Sequence, residues 1–122
     1  MANSFIAKIK VSKTIDHQLE KAAKNAAIFL DLDLAELCEV NLNADLNSED
    51  VEQLLITIYE SLHQIMGGHQ AEMRNWMVSE NADLQKGRPK DLIILPGGLV
   101  NIANYLTRFR SSIISQRPSN LR

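Results

Sequence analysis

Apolar positions repeat with a helical period along most of the chain. Ile15, Leu19, Ala22, Ala23, Ala26, Ala27 and Leu30 share one face of a helix that begins after Thr14. So many alanines in that stripe imply a close neighbour and weak individual anchors. Asp33 and Glu36 have the spacing of a capping box, which predicts a short helix from there to about Val40. The stretch Asn41 to Asn47 is rich in turn residues. Ser48 is placed to cap the next helix, and Glu49, Asp50 and Glu52 in its first turn suit the positive end of the helix dipole. Val51, Leu54, Leu55, Ile58, Leu62, Ile65 and Met66 then mark the strongest helical face in the chain. It is the predicted central core element, closed by Gly67 and Gly68, which can turn left-handed.

Downstream, a shorter helix carries Met73, Trp76 and Met77, followed by the polar stretch Ser79 to Gly87. Pro89 suits the first position of another short helix, running through Asp91, Leu92, Ile93 and Leu95, because that position needs no amide hydrogen. Pro96, Gly97 and Gly98 break it. A last helix presents Leu99, Ile102, Ala103, Leu106, Phe109 and Ile113, and the polar residues Gln116 to Arg122 trail away. One segment departs from this period. Phe5, Ala7, Ile9 and Val11 alternate with Ile6, Lys8 and Lys10, as in a short strand or extended arm that needs a second chain or a groove, or else a loose terminus. The expected fold is an all-α, compact multi-helix domain with no internal repeat.

Composition agrees with this picture. Of 122 residues, 45% are apolar and 23% charged, a globular balance that argues against a mainly disordered chain. No apolar run approaches the roughly 18 residues of a membrane span, and the first residues lack the features of a secretory signal. A cytoplasmic protein is expected. The single cysteine, Cys38, excludes an internal disulfide and any multi-cysteine zinc site.

The net charge of −2 conceals a segregation. Residues 1–30 carry five lysines against Asp16 and Glu20, a net +3. Residues 31–83 carry twelve acids against Arg74 alone, a net −11. Residues 84–122 carry seven cations against Asp91, a net +6. A surface field of two signs steers association and helps select partners.

No catalytic or metal-binding pattern stands out. His63 and His69 are six residues apart across a double glycine, which does not place them on one helix face, so both read as surface histidines. Asp31 and Asp33 lack the later glycine and glutamate of a calcium loop and read as helix-end carboxylates. Cys38, with no histidine near it in sequence, reads as a small core residue. Neither Gly67-Gly68 nor Gly97-Gly98 has the lysine or spaced glycines of a phosphate-binding loop. No enzyme, no metal and no cofactor is expected.

The segment from Met73 to Ile93, followed by Gly98, Leu99, Val100 and the run Tyr105 to Phe109, resembles the toxin-binding domain of the MbcA/ParS/Xre antitoxin family. Trp76, Asn81, Leu84, Gly87, Pro89, Asp91 and Leu92 fall in the order and at the gaps of that family's pattern, and the resemblance covers about Ser48 to Arg110. It implies a bacterial antitoxin whose region Trp76 to Phe109 binds and silences a cognate toxin, commonly an NAD-consuming toxin of the RES type, by covering its active site. Gly87 is expected to adopt a backbone conformation closed to other residues, with Pro89 holding the turn rigid. Trp76 is either an interface anchor or a ring packed beneath that loop. Arg88, Arg108 and Arg110 are either solvated or directed at acidic groups of the partner, Arg110 lying near the apolar face of its helix.

The resemblance also divides the chain into an arm (1–13), a degenerate helix-turn-helix-like region (14–47), the toxin-binding domain (48–116) and a polar tail (117–122). In the second of these, Leu34, Leu37 and Val40 resemble a first helix. The expected reading helix, Asn41 to Asn47, is short, carries Asp45 and has no Lys or Arg to meet phosphate, so conventional promoter reading is not expected. If DNA is bound, Lys8, Lys10 and Lys13 or the C-terminal arginines are the contacts. The alternatives to a toxin antagonist are a repressor of its own operon and an orphan interaction scaffold. A homodimer is expected, because family members associate and because the arm and the alanine-rich helix invite a second chain.

Overall fold

The computed structural model describes residues 17–42 and 46–116, and all the longer elements within them are helices. The alternating arm with Lys8, Lys10 and Lys13, and the tail 117–122, lie outside the described residues.

Helix α1 occupies residues 17–30. Its alanine stripe is the buried face: Ala23, Ala26, Ala27 and Leu30 are all but inaccessible to solvent. Ala22, expected on that face, is exposed instead. The contact is narrower than the periodicity suggests, because side chains this small bury only where a neighbour comes very close. The helix ends at Asp31, which adopts a left-handed φ of 61°. The Leu32 amide then donates to the Ala27 carbonyl, 2.7 Å, closing the terminus in the manner usually served by glycine.

Helix α2, Leu34–Leu42, runs two residues past the expected end. Its start makes half a capping box: the Glu36 amide donates to Asp33 Oδ1 at 3.2 Å, and the return bond is not made. Leu37 is its buried anchor. Asn41 and Leu42, the first residues of the stretch where a reading helix would fall, close α2, whereas Asn47 caps the next helix. Residues 43–45 between them lie outside the described part.

Helix α3, Ser48–Met66, is the central element. Its cap is Asn47 and not Ser48. Asn47 Oδ1 accepts from the Asp50 amide (2.8 Å) and Asp50 Oδ2 accepts from the Asn47 amide (3.3 Å), a complete capping box one residue earlier than expected. Gly67, at φ 66°, ends the helix as anticipated. Val51, Leu55, Ile58 and Leu62 are fully buried, with Leu54, Ile65 and Met66 half-buried at the margin of the same face.

Helix α4 is Gln70–Val78, helix α5 is the single turn Pro89–Leu92, and helix α6 is Gly98–Gln116. The principal packing is α6 along α3, with α2 and α4 also laid against α3, and α5 wedged between α4 and α6. Leu99, Ile102, Ala103 and Leu106 complete the core from α6, Met73 and Met77 from α4, and Ile93 from the α5–α6 link. Burying a Leu, Ile or Met contributes on the order of 1.5–3 kcal/mol each, and this single cluster unites all the longer helices. The α6 face does not stay buried to its end: Phe109 is 40% exposed and Ile113 36%, because the helix outruns the other described elements. No helix among the described residues is long and apolar enough to cross a membrane.

Candidate functional site

Between α4 and α5 the chain makes a closed loop organised by Asn81. Its amide donates to the Gly87 carbonyl (3.0 Å), and its own carbonyl accepts from the amides of Leu84 (3.0 Å) and Lys86 (2.8 Å). Its side-chain Oδ1 accepts from the Asp83 amide at 2.9 Å, starting a 3-10 turn at Ala82–Leu84. Asparagine suits this position because its short side chain can replace a backbone acceptor. The closing turn sets Gln85 and Lys86 in left-handed conformations, φ 59° and 65°, which for non-glycine residues costs on the order of 1 kcal/mol each. The loop's hydrogen bonds offset that cost.

Gly87 is not among the left-handed residues, contrary to expectation. Its lack of a side chain serves packing: a Cβ there would lie 2.8 Å from Leu92 Cδ1, so the glycine lets Leu92 cover the loop. Pro89 is buried as the first residue of α5, where the Arg88 carbonyl accepts from Leu92 (3.0 Å). Gly98 makes the closest approach. A Cβ there would fall 1.7 Å from the Leu92 carbonyl oxygen, so α6 can start against the backbone of α5 only with glycine.

Loop and helix are joined by Tyr105 of α6, whose hydroxyl donates to Asp83 Oδ2 at 2.8 Å. Burial, followed by the Asp83 carboxylate beside it, pushes the Tyr105 hydroxyl above the usual tyrosine range, so it stays a donor. The same ring stacks on Trp76 (6.4 Å between centroids, 16° between planes) and meets Phe109 at 6.0 Å. Trp76 thus both packs and remains half-exposed, the end of an aromatic row that Phe109 continues to the surface.

On the other side of Tyr105 a groove of about 670 Å³ runs between the 3-10 turn, the α5–α6 link and α6, within the usual size of ligand clefts. Of the residues expected from sequence, the structure brings Leu84 and Arg108 together in its lining. Gly87 and Pro89 support it from within, and Asn81 shapes its rim. Arg88 and Asp91 are exposed on the α5 turn and do not line it. Arg110, two residues beyond Arg108 and so about 200° around the helix, points elsewhere and is half-buried. Residues not singled out from sequence also line the groove: Leu95, 50% exposed, and the exposed Asn101 and Asn104. Their signal was the spacing of Asn101, Asn104 and Arg108, three and four apart on the polar face of α6.

Cys38 is half-buried, and burial followed by the Glu52 charge raises its thiol pKa, which disfavours the thiolate a nucleophile needs. His63 and His69 are exposed. Among the described residues no group of three or more His, Cys, Asp or Glu is placed to hold a metal ion.

A hydrogen-bonded loop, a half-exposed aromatic row and a groove of mixed apolar and polar lining stand side by side on the helical core. Residues 61–111 match the C-terminal toxin-binding domain of the Xre/MbcA/ParS antitoxins, a span that opens inside α3 and takes in the loop, the groove and most of α6. This segment is therefore similar to an antitoxin toxin-binding domain, and the residues that carry the likeness in sequence, Trp76, Asn81, Leu84, Gly87 and Pro89, fall within it. No curated protein matches the chain.

Proposed function

We propose that the chain is a cytoplasmic antitoxin that neutralises a cognate RES-type, NAD-consuming toxin by covering its active site with the Trp76 to Phe109 region, and that it works as a homodimer. The observation that carries the reading is the coincidence of the matched segment with the exposed site: residues 61–111 contain the whole Asn81–Gly87 loop, the Trp76–Tyr105–Phe109 row and Arg108. The aromatic row supplies apolar contact at little entropic cost, since its rings already hold one another in place. Arg88 and Asp91, exposed on a turn braced by Pro89, are available to a partner without reordering the backbone.

The test is co-expression with the toxin encoded beside this chain. Growth should be restored, cellular NAD preserved and the two proteins should purify together. Growth arrest that persists with no co-purification rejects the reading. Sedimentation of the isolated chain tests the homodimer, and a monomer at high concentration contradicts it.

A further inference from the structure

The polar groups lining the groove fall into two sets. Tyr105 and Asp83 hold each other, and the Thr107 hydroxyl donates to the Ala103 carbonyl at 2.8 Å. Asn101, Asn104 and Arg108 make no side-chain hydrogen bond or ion pair among the described residues, although all three are exposed on one stripe of α6. Facing them are Leu84, Leu92 and Leu95, the last half open to water. A groove with an aliphatic wall, two idle amides and a guanidinium at one end has the donors and acceptors of a peptide site.

We propose that this groove receives an extended segment of the toxin bearing an aliphatic side chain and, a few residues away, a carboxylate. The aliphatic group sits on Leu84, Leu92 and Leu95. Asn101 and Asn104 pair with the segment's backbone, and Arg108 takes the carboxylate through paired hydrogen bonds. From Gly98 to Arg108 the helix advances about 15 Å, the reach of four or five extended residues. Charge selects a peptide over a nucleic acid: one guanidinium matches one carboxylate, whereas the lining holds, among the described residues, no second cation to follow a chain of phosphates. The proposal rests on the toxin-binding reading and adds which part of the toxin is held and by what chemistry.

The experiment uses the full chain and the toxin encoded beside it. Arg108→Glu should weaken the complex at least tenfold by calorimetric titration, Arg108→Lys should recover only part of that loss because an ammonium lacks the paired donors, and Asn101→Trp, which fills the groove, should also weaken it tenfold or more. Lys24→Glu, on the exposed side of α1, should leave affinity unchanged, and the unfolding midpoint of each variant reports whether the fold is intact. A photo-crosslinker at position 104 should label a toxin peptide containing Asp or Glu near an aliphatic residue. If wild type binds the toxin while Arg108→Glu and Asn101→Trp bind equally well, the groove assignment is overturned and the toxin reading survives. Labelling of a second copy of this chain, or of a toxin segment without a carboxylate, overturns it as well. If wild type does not bind the toxin, both fall together.

Discussion

Arg74 and Arg108 are both exposed arginines on helix surfaces, and the structure uses them in opposite ways. Arg74 of α4 reaches across to the end of α1, where its Nε donates to the Phe29 carbonyl (2.8 Å) and its Nη2 to the Ile28 carbonyl (2.9 Å). Both carbonyls lie in the last turn of α1, where intrahelical partners run out; Ile28 also accepts from the Asp31 amide at 3.2 Å. Gln70 adds a second donor to the Phe29 carbonyl (3.2 Å), and Lys90 of α5 pairs with Asp31 at 3.3 Å. The α1–α4 joint is internally satisfied. Along the groove, Arg108 and its neighbouring amides have no side-chain partner among the described residues. Exposure alone does not separate a cation committed to the fold from one left available; the accounting of partners does.

The largest test of this contrast lies beneath the groove. Gly98→Ala would drive a methyl group into the Leu92 backbone, and we expect a loss of about 3 kcal/mol or more in urea unfolding, with the groove distorted. A midpoint equal to wild type would show that α5 and α6 can separate freely. Next, Arg74→Ala should cost about 1–2 kcal/mol and speed amide exchange in residues 17–30 while toxin affinity holds. The mirror variant, Arg108→Ala, should leave stability within about 0.5 kcal/mol and reduce affinity. Should both variants behave alike, the distinction between the two regions is wrong.

Two smaller effects sharpen it. Asn47→Ala should destabilise by about 1 kcal/mol, more than Ser48→Ala, by chemical denaturation of the two side by side. The raised Tyr105 hydroxyl sets a sign for alkaline pH. The fold favours the protonated form, so the tie to Asp83 contributes in full below the ordinary tyrosine value of about 10 and is lost as pH rises through the raised one. Wild type should therefore lose slightly more stability than Tyr105→Phe between neutral and strongly alkaline pH.

Much of the architecture was legible because helical period depends on nearest turns. The α3 face, its stop at Gly67 and the role of Pro89 in α5 all follow from residues within a few positions of one another. Asn47 displaced Ser48 as the cap because both are good capping residues, and only the backbone path through the turn selects between neighbours. Ala22, Phe109 and Ile113 keep the period yet lie outside the core, since burial requires another element at that height. Gly87 was anticipated as conformationally special, whereas its function is to admit Leu92, a contact that no local pattern encodes.

The sequence by itself determined the helices, the loop motif and, through that motif, the likeness to an antitoxin toxin-binding domain, because each is written in short-range spacing. Only the tertiary structure decided which cations are committed. Arg74 finds carbonyls more than forty residues away, and Arg108 finds none among the described residues, because partners distant in the chain are brought together by packing. It likewise set Arg108 apart from Arg110, which are close in sequence but lie on different sides of one helix.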